Sequence, residues 1–297
     1  MAEEVWMLQT KKADFKQIGA RFRIDPVMAR IIRNRGIEGE AAIDRYLNGT
    51  LDDLYDPMLL KDMERAVSIL CEAVDTGKKI RIVGDYDIDG VCSTYILLQA
   101  FERLGSDVDF EIPDRIKDGY GINESIIEQA HADGVEVILT CDNGISAFHQ
   151  VELAKKYGMT VVITDHHEVP LDGEKEKIPP ADAVIDPKQA DCPYPFPEIC
   201  GAVVAYKLVQ VLYARRGVPQ MEWLDLLEFA AIATVGDVMK LQDENRILVK
   251  YGLKKMAQTK NLGLRRLAEK NNLDLGAITA YHIGFVIGPC LNAGGRL

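Results

Sequence analysis

Several features that would sort a protein quickly are missing here. No apolar run approaches the roughly 20 residues needed to cross a bilayer, so no membrane span is expected. The opening stretch MAEEVWMLQTKKADFK lacks the basic-then-apolar order of a secretory signal. The six cysteines (Cys71, Cys92, Cys141, Cys192, Cys200 and Cys290) form no C-x-x-C pair and no Cys/His zinc spacing. Most sit in apolar surroundings, where a reduced, buried thiol is the expected state, and this places the protein in the cytoplasm. Low-complexity tracts and internal repeats are absent as well. Basic charge is in short supply, with 35 Lys and Arg against 46 Asp and Glu and a formal net charge of −11. That balance argues against a surface coated in nucleic acid. Clustered metal-binding aspartates would account for part of the deficit, however, and bound divalent cations reverse the sign locally. Bulk charge therefore does not decide the partner.

What remains is an ordinary globular composition, 47% hydrophobic and 27% charged, over 297 residues. That length accommodates two domains, or one large domain with an appendage. Residues 1–78 carry helical spacing without strand alternation. DPVMARIIRNRG reads as a helix with Asp25 as N-cap, Pro26 in the first turn and Gly36 as stop. LKDMERAVSILCEAVDTGKK reads as a longer amphipathic helix closed by Gly77. From Lys79 the rhythm changes. KIRIVG, DVDFEI, VEVILT, TVVIT and ADAVI are short apolar strands, mostly separated by helical segments. The alternation predicts an α/β fold, a doubly wound parallel five-stranded sheet with helices on both faces, preceded and followed by helical regions. Two helices are expected after the proline-rich loop PKQADCPYPFPE, over Gly201–Arg216 and Met221–Thr234. The stretch from about 243 is expected to be helical as far as IGPCLNAGGRL. The division expected is a helical region over 1–78, a catalytic domain over 79–240 and a helical connector over 241–297.

The strand ends carry the chemistry. The first strand runs into GDYDIDG with Asp85, Asp87 and Asp89, the third into CDNG with Asp142, the fourth into TDHHE with Asp165, His166 and His167, and the fifth into Asp186. Ligands of an open parallel sheet bind outside the carboxyl ends of its strands, and four of the five strands place acidic groups there. Turn and cap preferences account for Asp186 and one member of the first cluster. They do not account for three aspartates at alternating positions, whose charges repel unless a cation or wide exposure relieves them. An oxygen-rich set with one or two imidazoles and no thiolate favours Mn²⁺ or Mg²⁺ over structural zinc. One aspartate too many for a single ion suggests two ions, a pair that activates water and stabilises the oxyanions of an in-line phosphoryl displacement. Asp237, in ATVGDVMKL, is a further acidic candidate, balanced at this stage between a ligand and a helix-end turn.

GDYDIDG, CDNGI and TDHHE, in that order on successive strands, resemble the DHH phosphoesterase superfamily. DPMLLKDMERAV, IPDRIKDGYGIN, CGAVVAYKL, TVGDVMKL and GPCLNAGGRL are similar to its RecJ branch, bacterial 5′-to-3′ exonucleases acting on single-stranded DNA. The resemblance implies that Asp87, Asp89, Asp142, His166 and Asp237 are metal ligands, with Asp142 bridging two Mn²⁺ (or Mg²⁺) ions and Asp85 supporting the first. It implies that His167 faces the scissile phosphate as a transition-state donor or general acid. Arg296 and Asn292, in the last motif, are the substrate-binding candidates. Tyr120 would stack a base, against the plainer reading of a turn tyrosine. Two departures stand out. Val83 occupies a place where many superfamily relatives carry a histidine, which leaves Asp85 to compensate, and Cys290 stands where RecJ-like sequences often have an arginine able to grip a phosphate bidentately.

RecJ-like proteins also continue into a second domain that closes over the metals, so the sequence is expected to be the catalytic part of a longer protein, slow on its own because positioning contributes much of phosphoryl transfer. The implied partner is single-stranded nucleic acid, DNA rather than RNA by resemblance alone, with DNA repair and recombination as the setting. Lys254, Lys255, Lys260, Arg265, Arg266 and Lys270 would supply a basic groove, or simply a solvated helix face. The alternatives are a phosphatase of small substrates (pyrophosphate, cyclic dinucleotides or very short oligonucleotides) and a catalytically silent binding module.

Overall fold

The computed structural model describes residues 11–115 and 121–294. Contacts divide the chain into two compact units, Met1–Leu54 and Tyr55–Leu297. The first holds α1 (Phe15–Phe22), α2 (Pro26–Asn34) and α3 (Glu40–Asn48) around buried Ile32, Ile37 and Ile43. Helix α2 begins as its sequence dictates: the Asp25 carboxylate accepts from the Val27 amide, and Pro26 fills the first helical position.

The second unit opens with α4 (Met63–Asp75) and then alternates β1 (Ile80–Val83), α5 (Ile88–Arg103), β2 (Val108–Glu111), α6 (Glu124–Ala132), β3 (Val137–Cys141), α7 (Phe148–Lys156) and β4 (Thr160–Thr164). A small antiparallel hairpin, β5 (Leu171–Asp172) and β6 (Lys175–Glu176), precedes β7 (Ala183–Ile185). The main sheet is wholly parallel in the order β2-β1-β3-β4-β7. β1, β3 and β7 are buried along their whole length and β4 beyond its first residue, because helices cover both faces and leave no solvated side to select for alternation. On one face α6 and α7 pack on Val83, Ile138, Val161, Ile163 and Val184. Helices α4, α5 and α8 (Gly201–Arg215) contact the strands as well.

The chain continues through α9 (Gln220–Leu224), α10 (Leu227–Gly236), α11 (Asp243–Met256), α12 (Leu262–Lys270), a short α13 (Ala280–His282) and α14 (Gly288–Gly294). Beneath them lies a buried ion pair. Lys207 Nζ on α8 stands 3.0 Å from Glu244 Oε1 on α11, both side chains almost wholly enclosed. The Tyr55 amide and the Tyr194 hydroxyl also donate to Glu244, which ties α8, α11 and two loops together.

Two expectations change, and one element is new. The single helix expected over Met221–Thr234 is broken at Asp225 and Leu226, where hydrogen bonds tighten to three-residue spacing and the Asp225 carboxylate turns to Lys255 and Lys260. The hairpin went unforeseen because two-residue strands carry no readable alternation. The segment IGPCLNAG stays helical, because a π turn over Ile283–Ile287 absorbs Pro289, which has no amide to give the helix ladder.

Candidate metal centre

Strand order reverses between β1 and β3, which share an edge while their crossovers leave in opposite directions, and this opens a crevice at their carboxyl ends. β1 delivers Asp85, Asp87 and Asp89 there, and β3 delivers Asp142. Asp87 is the N-cap of α5: its Oδ1 accepts from the Asp89 and Gly90 amides at 2.9 and 3.0 Å. Gly90 is required, since a Cβ there would lie 2.4 Å from the Asp85 carbonyl oxygen. Asp142 takes a left-handed conformation, φ 61°, which re-aims its carboxylate at the end of the strand. Asn143 locks that turn. Its Nδ2 donates to Val83 O and Cys141 O at 3.0 and 2.9 Å, stitching β1 to β3 under the crevice.

Later helices close the site. The first two amides of α8 grip Asp89, Gly201 N to Oδ2 and Ala202 N to Oδ1, both at 2.7 Å. Asp237 arrives at the C-terminal end of α10. His166 Nε2 then lies 3.0 Å from Asp142 Oδ1, 3.3 Å from Asp89 Oδ2 and 3.9 Å from Asp237 Oδ2. Ligand atoms fall into three overlapping sets, each within 4.8 Å: Asp85, Asp87 and Asp142; Asp89, His166 and Asp237; Asp142, His166 and His167.

Asp165 plays a different part from its neighbours. It belongs to none of these sets, and both its oxygens are taken. Oδ2 accepts from Ile145 N at 2.9 Å, and Oδ1 accepts from His166 N, His167 N and His167 Nδ1 at 2.7, 3.2 and 2.7 Å. Burial pushes the Asp165 carboxyl up, but these hydrogen bonds and the imidazole charge outweigh it and hold the group below the usual carboxylate range. In return, the bond to Asp165 raises His167 against the opposing effect of burial. The two imidazoles diverge, since burial lowers His166.

The electrostatics fit divalent cations. Burial first, then the charge of Asp87, pushes Asp85 up to about 6. Burial and the charges of Asp89 and Asp87 push Asp237 up to about 7, and the same causes drive Asp142 well above its ordinary value. Asp85 Oδ2 is buried without a hydrogen-bond partner among the described residues. Carboxylates crowded and desolvated in this way favour a positive charge in their midst, and their oxygen-rich donor set suits Mn²⁺ or Mg²⁺.

Of the substrate-binding candidates, Asn292 lines a hollow of about 260 Å³ together with Asp85, Asp87, Asp237 and Arg115. Arg296 and Tyr120 lie outside the described residues. The basic segment is partly neutralised, with Lys255 and Lys260 paired to Asp225 and Arg266 to Glu269. Sequence reasoning missed Asn143, although it stands in the quoted CDNG, and Gly201, whose tight approach to Asp142 leaves no local signal.

The model of the family described as "DHH family, N-terminal domain" matches residues 79–234, more than half of the chain. The chain belongs to the DHH family. Among DHH relatives, the single-stranded-DNA-specific exonuclease RecJ of Bacillus subtilis (strain 168) is 37% identical over 293 residues, 98% of this chain and 36% of the relative. The protein of the same name from Haemophilus influenzae is 38% identical over 289 residues, 94% of this chain and 49% of the relative. The chain thus spans less than half the length of these two proteins. A crystal structure of RecJ in complex with Mn²⁺ from Thermus thermophilus superposes with a TM-score of 0.76 at 30% identity, covering 95% of this chain and 39% of that one. The five-stranded parallel sheet with its surrounding helices is therefore the DHH fold, and its acidic crevice lies inside the matched segment. No helix among the described residues is long and apolar enough to cross a membrane.

Proposed function

We propose that the chain is a metal-dependent phosphodiester hydrolase that removes nucleotides from single-stranded DNA in the 5′-to-3′ direction, serving DNA repair and recombination. The observation that carries this reading is the position of Asp142, shared between two sets of ligand atoms and 4.0 Å from His167 Nδ1. In this reading residues 79–240 are the catalytic domain. Asp87, Asp89, Asp142, His166 and Asp237 would hold two Mn²⁺ ions, with Asp85 supporting the first. Such a pair supplies Lewis-acid activation of water and neutralises charge on the phosphoryl oxygens.

The chain's own groups do the rest. Gly201 N and Ala202 N fix the Asp89 carboxylate so that it need not reorganise on binding. His167, held at Nδ1 by buried Asp165, presents Nε2 to the phosphate and donates a proton as charge develops on the departing oxygen. Asn292 and, beyond the described residues, Arg296 and Tyr120 contact the strand. The unpaired thiols of all six cysteines support a cytoplasmic setting.

The test is nucleotide release with Mn²⁺ from a 5′-phosphorylated single-stranded DNA, a dinucleotide and pyrophosphate, with Asp142→Ala as control. Mononucleotides from the long strand, absent in the control, are expected. Release from pyrophosphate alone would replace the nuclease with a small-substrate phosphatase, and silence on all three substrates would favour a binding module.

A further inference from the structure

A hollow of about 280 Å³ lies away from the crevice, among α5, the start of α10, the end of α11 and the turn into α12. Tyr95 and Phe229 line it as an aromatic pair, with ring centres 4.3 Å apart and planes tilted by 46°. Glu228 forms part of the wall and is only 3% exposed. Its Oε1 accepts from the Thr259 hydroxyl at 2.6 Å, whereas Oε2 is buried without a hydrogen-bond partner among the described residues. An acceptor buried unpaired is costly, which disposes that oxygen to take a donor from outside. Lys255 and Lys260 also line the hollow, 2.5 and 3.0 Å from the single Asp225 carboxylate. Two ammonium groups thus share one carboxylate, and Lys260 stays largely exposed at the rim. Asn261 stiffens the remaining side: its Nδ2 donates to the Tyr95 hydroxyl at 3.0 Å, and its Oδ1 accepts from the Leu264 amide at 2.8 Å.

We propose that this hollow binds a guanine mononucleotide, with the base at Glu228 and the phosphate at Lys255 and Lys260, and that its occupancy is coupled to metal binding in the crevice. The unpaired Glu228 oxygen needs N–H donors, and guanine offers two side by side, at N1 and at its exocyclic amine. Thymine would bring its one N–H flanked by two carbonyl oxygens, which a carboxylate repels. Burial raises the Glu228 carboxyl, the Thr259 hydroxyl and the Lys255 charge oppose it, and two N–H donors would add to them in favour of the ionised form. The aromatic pair suits a planar base. The lysines suit a phosphate, and they repel the polyamines that a lone buried carboxylate would otherwise attract. The volume stands close to the roughly 300 Å³ at the small end of ligand sites, so a single nucleotide is accommodated and a strand is not.

Two walls of the hollow also reach the crevice. Glu228 lies in the first turn of α10, and Asp237 ends that helix nine residues on, roughly 13–14 Å along its axis. Tyr95 belongs to α5, whose N-cap is Asp87. Residues 227–234 of α10 are buried throughout, so a displacement at Glu228 passes along a packed helix instead of being absorbed in a loop. The coupling rests on the metal reading of the crevice, and the nucleotide site does not.

Calorimetric titration of the whole metal-free chain with dGMP, dTMP, deoxyguanosine and inorganic phosphate measures the site directly. dGMP should bind at least about tenfold more tightly than any of the other three. Lys260→Glu, at an exposed position, and Glu228→Gln should each weaken dGMP binding about tenfold. Hydrogen exchange should show dGMP protecting 225–229 and 255–261. Equal affinity for dTMP or phosphate, wild-type affinity in both variants, or protection confined to 85–91 and 142–144 would overturn the assignment, the last because the nucleotide would then sit in the crevice. Saturating dGMP should change the affinity for Mn²⁺ by about fivefold or more, Mn²⁺ should change the affinity for dGMP by the same factor, and Glu228→Gln should abolish both effects. An unchanged Mn²⁺ affinity would overturn the coupling. Failure of the wild-type chain to bind Mn²⁺ at all would instead strike the metal reading, and the titration of the metal-free chain would still decide the nucleotide site.

Discussion

Gly201→Ala tests whether the metal centre depends on the approach of α8 to the turn after β3. A Cβ at residue 201 would lie 2.7 Å from Asp142 Cβ, 2.8 Å from Asp142 Oδ1 and 3.0 Å from Asp142 Cα, inside ordinary van der Waals contact on all three counts. Two of these atoms are fixed by backbone and by the left-handed turn at Asp142, so no rotamer change relieves the clash. Either α8 retreats or Asp142 does, by roughly 1 Å on the scale of carbon–carbon contact distances. If the helix moves, Asp89 loses the two amides that hold it; if Asp142 moves, the shared carboxylate leaves both ligand sets.

The stability effect is a balance. Overpacking typically costs about 1–3 kcal/mol, whereas replacing glycine near a helix start recovers at most about 1 kcal/mol of propensity. A net loss of about 1–2 kcal/mol is expected for the metal-free protein. Because the movement disturbs ligand orientation, Mn²⁺ affinity should fall further, by about 10–100-fold, the range seen when groups supporting ligands are changed. Calorimetric titration with Mn²⁺ and urea unfolding of the metal-free protein measure the two effects separately. Wild-type Mn²⁺ affinity in a folded Gly201→Ala protein would refute the reasoning, because it would mean that α8 does not set the position of Asp89 or Asp142.

The two histidines should separate in the same titration: His166→Ala weakens Mn²⁺ binding, while His167→Ala leaves it nearly intact and lowers kcat by about 10²–10⁴. Equal affinity in both variants would contradict that division. Lys207→Met leaves the Glu244 carboxylate buried without its cation and should cost about 3–5 kcal/mol in urea unfolding, with much of the loss recovered in Lys207→Met/Glu244→Leu; a single-variant loss below about 1 kcal/mol would contradict it. Glu228 is buried with one oxygen on the Thr259 hydroxyl, and burial raises its carboxyl above the ordinary value despite that bond and the charge of Lys255. A raised folded-state pKa gives stability that is complete below the unfolded value and lost as pH rises through the folded one. Glu228→Gln should therefore gain on the wild type in melting temperature from pH 4.5 to pH 8, and a difference constant across that range would count against the assignment.

The sheet was legible because its strands are short β-branched runs followed by glycine- and aspartate-rich turns, a local signal that survives without knowledge of contacts. The acidic crevice was legible for the same reason. Parallel strands put successive carboxyl ends on one edge, so Asp85, Asp87, Asp89, Asp142 and His166 could be gathered from sequence order alone. Asp237 could not be gathered this way, because it comes from a helix end whose approach to the crevice depends on how α10 packs. Gly201 was invisible for a related reason: nothing in CGAVVAYKL states that its amide meets Asp89 across more than a hundred residues. Asp165 shows the limit from the other side. Its motif puts it next to two imidazoles, and sequence spacing alone counts it with the metal-site groups. The hydrogen bonds from Ile145, His166 and His167 take up its acceptor capacity inside the protein. With both oxygens so occupied, Asp165 orients the imidazoles beside it and leaves the approach to a metal or a phosphate to them. The roles proposed within the Asp-His-His triplet thus depend on one amide supplied from a neighbouring loop, that of Ile145, together with the triplet's own amides, and they would change if the CDNG turn were rebuilt while the triplet itself was left untouched.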